Sequence, residues 1–108
     1  MLQLKKGVLE LRVLESVCAG PTYGYALLGR RKDCSGGLFT LKEGTLYPIL
    51  YRLEDEGFIA ASWSAGEGRT APKKIYTATA AGQAEALRRR AVWEQFARTV
   101  DRIGREEP

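Results

Sequence analysis

The chain has 108 residues, of which 44% are hydrophobic, and these values fit a single folded domain. Its apolar runs are too short to span a membrane or to form a signal peptide, so we expect a cytoplasmic protein with no membrane partner. The net charge of +4 is concentrated between residues 65 and 90, where six basic residues oppose two acidic ones, and this clustering suggests a polyanionic partner.

The first predicted helix runs from Leu4 to Cys18 and is apolar around much of its circumference. Its hydrophobic residues recur at helical spacing, with others beside them: Leu4, Val8, Leu11, Leu14 and Cys18, flanked by Leu9, Val13 and Val17. Such a wide apolar surface is expected to be buried from two sides, by the chain's own core and by a second subunit. Cys18 therefore fits a small core residue. Cys34 lies in a polar loop, where a redox switch is the weaker interpretation.

A second, shorter helix is predicted from Tyr23 to about Arg31. Thr22 is its expected N-cap, and Leu27 and Leu28 are expected to face inward. The start of this helix could bind a phosphate, because helix N-termini present free N–H groups to anions. Of the two tyrosines there, Tyr23 and Tyr25, we expect one to be packed inside.

The third predicted helix lies between Thr40 and Gly57 and is strongly amphipathic. One face carries the apolar stripe Leu46, Ile49, Leu50 and Leu53, and the opposite face carries Lys42, Thr45, Tyr47, Pro48, Tyr51 and Arg52. Thr40 and Glu43 have the spacing of a capping box, whereas Pro48 predicts a local kink or a helix that begins nearer Thr45. Gly57 is expected to end the helix.

The outer face of this third helix offers hydrogen-bond donors, positive charge and flat apolar surface. DNA grooves and phosphates bind these groups, so the pattern indicates a recognition helix. Arg52 is the best candidate for a guanine edge or a phosphate. Tyr47 and Tyr51 share a face and could contact phosphate or thymine methyl groups. The alternative is an ordinary surface helix whose tyrosines cover the rim of the core.

Two strands are predicted next, Phe58 to Ser64 and Lys73 to Ala78, joined by a flexible tip. The basic residues of this hairpin are Arg69, Lys73 and Lys74. Beside a duplex they would neutralise phosphates, although a solvated hairpin could carry the same charge. Trp63 in the first strand is interpreted as a packing residue.

Thr79 is expected to cap a long final helix from Ala80 to about Ile103. The apolar residues Trp93, Phe96, Val100 and Ile103 are separated by three, four and three positions, which is the spacing of a helix-on-helix seam. We therefore expect a dimer interface formed by this seam together with Leu4, Val8 and Leu11 of the first helix.

The order of elements is helix, helix, helix, strand, strand, long helix. It predicts a mainly α (α+β) protein, a winged helix-turn-helix with an added long C-terminal dimerisation helix. Residues 1–78 would form the DNA-binding domain and residues 79–108 the dimerisation helix, packed on the first helix as one unit. An enzyme, a cofactor and a metal site are not expected, because the chain has no histidine, no cysteine pair at metal-binding spacing and no phosphate-binding glycine loop in a strand–helix context.

Several segments resemble the PadR family of bacterial transcriptional regulators, in particular its short members with one C-terminal helix. They are Lys6–Leu11 (KGVLEL), Gly20–Tyr25 (GPTYGY), Glu43–Pro48 (EGTLYP), Leu53–Gly57 (LEDEG), a basic wing ending in Tyr76, and Thr79–Gly82 (TAAG). The resemblance implies a homodimer that binds operator DNA and represses transcription, with release by a small molecule in several members. It also implies that a small aromatic ligand could lie against Trp93 and Phe96 at the dimer interface. Ile75 and Ala78 depart from the family pattern, so the resemblance does not identify an effector for this protein.

The predicted DNA contacts share a polar, basic or aromatic side chain on the third helix, the second helix or the wing. They are Tyr23, Lys42, Thr45, Tyr47, Pro48, Tyr51, Arg52, Arg69, Lys73 and Lys74. Their expected partner is double-stranded DNA. The competing hypothesis is a winged-helix protein-interaction module without DNA affinity.

Overall fold

The computed structural model describes residues 2–30, 41–66, 68 and 71–106. The helices are α1 (Leu2–Cys18), α2 (Gly24–Arg30), α3 (Glu43–Asp55) and α4 (Ala80–Glu106), and the strands are β1 (Ile59–Trp63) and β2 (Lys74–Ala78). This order confirms the mainly α winged helix-turn-helix with a long final helix. The predicted loop around Cys34, and with it any redox role, lies outside the described residues.

The hydrophobic core lies where the three N-terminal helices meet the hairpin. Its buried members are Leu9, Val13, Leu14, Val17, Leu27, Leu41, Leu46, Ile49, Leu50, Leu53, Ile59, Tyr76 and Ala86. Every residue of the apolar stripe predicted for α3 is among them. Because burying one such aliphatic side chain contributes about 1.5–3 kcal/mol, the stripe fixes which face of α3 is turned away from solvent.

The start of α3 differs from the sequence prediction. Lys42 occupies the N-cap position with an extended backbone, and no side chain caps the helix there. The predicted capping box is wrong, because Glu43 follows the observed cap by one residue instead of three. Thr40 itself lies outside the described residues. The helix also begins before Thr45 and is continuous through Pro48.

The end of α3 confirms the predicted role of Gly57. This residue has a φ of +81°, the left-handed conformation that glycine adopts without steric cost. The Phe58 N–H donates to the Leu53 carbonyl and the Gly57 N–H to the Glu54 carbonyl, both at 3.0 Å. These paired bonds form a Schellman motif, which turns the chain directly from α3 into β1.

β1 and β2 form an antiparallel hairpin in which Ile59 is opposite Ala78 and Trp63 is opposite Lys74. A bridge from Thr22 extends this sheet, since the Thr22 N–H donates to the Tyr76 carbonyl (3.1 Å) and the Tyr76 N–H to the Thr22 carbonyl (2.7 Å). The prediction of Thr22 as an N-cap is wrong, because α2 begins at Gly24 and the buried Thr22 hydroxyl has no hydrogen-bond partner among the described residues. The interpretation of Trp63 as a packing residue is also wrong, because its side chain is 70% exposed.

The junction between the hairpin and α4 is tight. Thr79 caps α4 as predicted, since its Oγ1 accepts the Gly82 N–H at 3.0 Å, and the same hydroxyl donates to the Gly57 carbonyl at 2.7 Å. A Cβ atom on Gly82 would lie 1.8 Å from the Phe58 carbonyl oxygen. The first turn of α4 is thus fixed against the end of α3. Farther along, Arg90 pairs with Glu15 and links α4 to α1.

Candidate nucleic-acid interface

The outer face of α3 is accessible, as its amphipathic sequence predicts. Lys42, Thr45 and Pro48 are exposed, and Tyr51 is 56% exposed. The rings of Tyr47 and Tyr51 lie 6.3 Å apart, centroid to centroid, at a tilt of 35°. These side chains face solvent because the apolar stripe of α3 is turned into the core.

Tyr47 is half-buried because it packs against the start of α2. Its hydroxyl lies 2.6 Å from the point where a Cβ atom of Gly24 would be, and two of its ring carbons lie 3.0 Å away. Any larger residue at position 24 would have to displace this ring. Tyr47 therefore joins α2 to α3, and only part of its surface is available to a ligand.

Lysines from β2 and the segment before it extend the surface toward the hairpin. The Lys73 Nζ lies 4.5 Å from the centroid of the Tyr23 ring, and the Lys74 Nζ lies 5.6 Å from that of Tyr51. Cation–π attraction at these distances brings α2, α3 and the hairpin together. Arg69, the third predicted basic residue of the wing, lies outside the described residues.

Lys74 also contacts Glu54 at 3.5 Å and the Tyr76 ring at 5.4 Å. Partial burial acts to lower the pKa of the Lys74 ammonium, but the nearby Tyr76 and Glu54 raise it, and the net pKa is above the ordinary value. The ammonium is therefore charged at neutral pH and can attract a phosphate.

Neither tyrosine near the start of α2 is buried. Tyr25 is 78% exposed and Tyr23 is half-buried under Lys73. The expectation that one of them is packed inside is wrong, because Gly24 between them is the residue turned toward Tyr47. Tyr23 lies beside the basic residues, as predicted.

Arg52 lies on the flank of α3 that faces α1. Its Nε donates to Glu10 Oε1 at 2.6 Å, and the side chain lines a groove of about 350 Å³ between α1 and α3. Lys5 and Lys6 of α1 line the same groove, together with Thr45 and Pro48. Lys5, Lys6 and Glu10 were not among the functional residues predicted from the sequence, because charged residues on a helix are usually solvated.

A second groove, of about 300 Å³, lies between α1 and α4. Its apolar lining comprises Leu4, Val8, Leu11, Val92, Trp93 and Phe96. The rings of Trp93 and Phe96 lie 5.8 Å apart at a tilt of 33°. Leu11 is only 4% exposed in the single chain, so it forms the floor of the groove. Val92 was not part of the predicted seam, yet it lines the groove and is 57% exposed.

The basic residues along this groove are compensated by acidic neighbours. Arg88 and Arg89 both donate to Glu85, at 2.8 and 2.6 Å. These hydrogen bonds lower the pKa of the Glu85 carboxyl to about 2. Both arginines are therefore paired with a carboxylate of α4 itself, and Arg89 also contacts Glu56 at 3.6 Å.

Two findings concern other kinds of site, within residues 2–30, 41–66, 68 and 71–106. The helices there are too short or too polar to cross a lipid bilayer. No group of three or more histidine, cysteine or acidic residues among them is arranged to bind a metal ion.

Comparison with curated proteins reveals transcriptional regulators. The family model "Transcriptional regulator PadR-like family" matches residues 13–88. The chain is 29% identical over 100 residues to "Transcriptional regulator Rv3488" of Mycobacterium tuberculosis, a match that covers 93% of this chain and 89% of that protein. It is 33% identical over 78 residues to "Negative transcriptional regulator PadR" of Bacillus subtilis, which covers 72% of this chain and 42% of that longer protein.

Solved structures give the same result. A PadR family transcriptional regulator from Eggerthella lenta superposes with a TM-score of 0.83 at 31% identity, covering 98% of this chain and 89% of that one. A PadR-like regulator from Bacillus cereus has a TM-score of 0.80 at 27% identity, covering 97% and 99%. From its motifs, its fold and these matches, the chain belongs to the PadR-like family of transcriptional regulators, which are DNA-binding proteins and not enzymes.

Proposed function

We propose that the protein is a homodimeric repressor that binds a pseudo-palindromic operator, with α3 in the major groove and the β1–β2 hairpin beside it. The observation that carries this proposal is the joined surface of tyrosines and lysines contributed by α2, α3 and the hairpin. Two cation–π contacts connect these elements, between Lys73 and Tyr23 and between Lys74 and Tyr51. Such a surface offers positive charge and hydroxyl donors to a phosphate backbone.

The proposed contacts differ in what they contribute. Lys73, Lys74, Arg69 and the hydroxyl of Tyr23 would bind phosphates, which supplies affinity without reading sequence. Thr45, Pro48 and Tyr51 are exposed on α3 and would lie against base edges in the major groove. Lys42 is the exposed residue before the helix and would bind a phosphate beside it. Tyr47, which packs on Gly24, would mainly fix the angle between α2 and α3.

A homodimer is supported by the exposed apolar seam of α4. Phe96, Val100 and Ile103 are each about half exposed in the single chain, and Leu4 of α1 is similarly exposed. Contiguous apolar surface of this kind commonly marks an interface in a protein of this size. A second copy is the occupant we propose, since a two-fold pair would present two α3 helices to half-sites roughly one or two helical turns apart.

Repression and release are the finer parts of the proposal. The matched Bacillus subtilis protein carries the name of a negative regulator, which supports repression as the mode of action here. The groove containing Trp93 and Phe96 supports binding of a small aromatic effector, because stacked rings favour flat apolar ligands. The cytoplasmic location expected from the sequence stays a prediction.

DNA binding is tested by titrating a labelled duplex from the region upstream of the gene at two salt concentrations, with an unrelated duplex of equal length as competitor. Lys73→Gln should weaken binding to both duplexes and reduce the slope of log affinity against log salt by about 0.9, because one phosphate contact is lost. The matched control is Arg98→Gln, which removes one positive charge from an exposed position on α4.

Two outcomes would contradict the proposal. Equal losses in Lys73→Gln and Arg98→Gln would mean that overall charge, and not the joined surface, governs affinity. Absence of binding by the wild-type protein to either duplex would favour the alternative, a winged-helix module that binds protein partners.

A further inference from the structure

An acidic residue of α1 binds the arginine that α3 carries on its flank. The Arg52 Nε and Glu10 Oε1 lie 2.6 Å apart, although the two residues are 42 positions apart in sequence. The Arg52 side chain is 37% exposed and that of Glu10 is 18% exposed. A charge-assisted hydrogen bond in this partly covered place is stronger than an exposed surface pair.

The surroundings of this pair are basic. Lys5 and Lys6 line the α1–α3 groove into which Arg52 extends, and Lys6 precedes Glu10 by four residues on the same face of α1. If Arg52 moved to another anion, the Glu10 carboxylate would therefore have a replacement cation one helical turn away. The exchange would leave no charge buried without a partner.

We propose that Glu10 is a positioning residue for DNA recognition. It binds Arg52 in the free protein, and a DNA phosphate takes its place when α3 docks on the duplex. This inference rests on the proposed function, since it requires α3 to contact DNA. Glu10 thereby sets both the conformation of Arg52 before binding and the electrostatic cost of recruiting it.

The affinity of a Glu10 variant gives the exchange a distinct signature. In the wild-type protein Arg52 must break its hydrogen bond to Glu10 before it reaches a phosphate. In Glu10→Gln the guanidinium lacks an internal anion, so this cost is absent, while the number of cations displaced from DNA is the same in both proteins. Glu10→Gln should therefore bind operator DNA about three to ten times more tightly, with an unchanged salt slope.

The experiment compares Glu10→Gln, Arg52→Gln and the double variant by fluorescence anisotropy with labelled duplex. The gain from Glu10→Gln should vanish when Arg52 is already glutamine, because the carboxylate then has no guanidinium to bind. Glu94→Gln is the charge-matched control, since Glu94 is exposed on α4 and its substitution removes the same negative charge. It should leave operator affinity nearly unchanged, and Glu10→Asp should restore wild-type affinity.

Outcomes for the two proposals are separable. If the wild-type protein binds DNA and Glu10→Gln gives the same gain with and without Arg52, the positioning role is overturned and the DNA-binding role stands. If no variant binds DNA, both are overturned. The pair itself is observed independently as the Nε–Hε resonance of Arg52 in the free protein, which should shift in Glu10→Gln; an unchanged resonance would refute the contact.

Discussion

Gly82 shows how much one position can determine in this fold. Its Cα approaches the Phe58 carbonyl so closely that a methyl group would lie 1.8 Å from the oxygen. That oxygen also accepts the Thr79 N–H at 3.1 Å, so it cannot move without weakening this hydrogen bond at the end of the hairpin. Glycine is needed at position 82 because the backbone there lies so close to Phe58, and not because the position has an unusual backbone conformation.

Gly82→Ala should therefore lower the free energy of unfolding, by about 1–3 kcal/mol, because the backbone on both sides must shift to admit the methyl group. Urea denaturation followed by circular dichroism measures this change. Gly104→Ala is the matched control, since nothing lies within 4 Å of its added methyl group. That variant should be neutral or more stable by up to ~1 kcal/mol, as expected for alanine in a helix. Equal stability of the two variants would contradict the role of Gly82.

At this scale the sequence predicted contacts between near neighbours better than contacts between distant residues. Thr79 was recognised as a cap because its bond to the Gly82 N–H spans three residues. The Glu10–Arg52 pair was not predicted, because each residue alone resembles an ordinary surface charge and only packing of α1 on α3 brings them together. Thr22 was misassigned for the same reason, since its strand-like pairing depends on Tyr76.

Among the elements, α3 contains both an apolar stripe that favours its packing and a proline that disfavours a helix. Its apolar stripe determined its orientation correctly, because burial of several leucines outweighs local propensity. Pro48 opposes this signal, since it lies inside the helix and cannot donate a backbone hydrogen bond to Gly44. Gly44 is exposed with nothing within 4 Å of an added Cβ, so the backbone there has room to adjust.

Pro48→Ala should separate stability from binding. The alanine variant regains a backbone donor and loses the steric conflict, so the free energy of unfolding should rise by about 1 kcal/mol or more. DNA affinity should fall, because the exposed proline ring is a proposed base contact. Thermal melting and anisotropy titration measure the two quantities. A variant that is more stable and binds DNA with unchanged affinity would remove Pro48 from the interface.

The hairpin was predicted to within one residue at every strand end, whereas the role of its tryptophan was predicted wrongly. The alternation of apolar and polar side chains indicates two strands. It does not show which residues of a two-stranded sheet are buried by the helices and which remain exposed. Trp63 lies at the outer end of β1, whereas Ile59 at its other end is buried where the strand packs on α3. Lys73 and Lys74 were predicted as basic residues of the hairpin that bind DNA, but their contacts with Tyr23 and Tyr51 required the fold.

On the scale of the whole molecule, the shape is elongated, with extents of 65 × 30 × 19 Å. The N-terminal part of α4 packs on α1 and the hairpin, and its C-terminal part carries Phe96, Val100 and Ile103 in half-exposed positions. The sequence predicted this seam from spacing alone. It could not indicate that Leu11 is already covered within one chain, since that depends on how α1 and α4 pack together.

Val100→Glu should convert the proposed dimer into a monomer, because a carboxylate at the centre of the seam would be buried there without a partner. Sedimentation equilibrium should show the change in mass, and far-UV circular dichroism should show that the helices remain. Operator affinity should fall by about 10²–10⁴-fold, because two linked binding events become one.

Gln95→Glu is the control for this variant, since it adds the same charge to α4 at an exposed position about one quarter of a turn from the seam. It should remain dimeric and bind DNA normally. If Val100→Glu also remained dimeric, the seam would lie elsewhere on the molecule.

The tight junction at Gly82 has a mechanical consequence. α4 has 27 residues, which corresponds to a helix about 40 Å long. Its first turn is in such close contact with Phe58 at the end of α3 that the two can move little relative to each other. In a dimer joined through the C-terminal parts of its two α4 helices, a tilt of α4 by roughly 10° would move each winged helix-turn-helix unit by about 7 Å, roughly two base-pair steps. A change in the crossing angle of the two α4 helices would therefore decide whether both α3 helices can contact the same duplex at once.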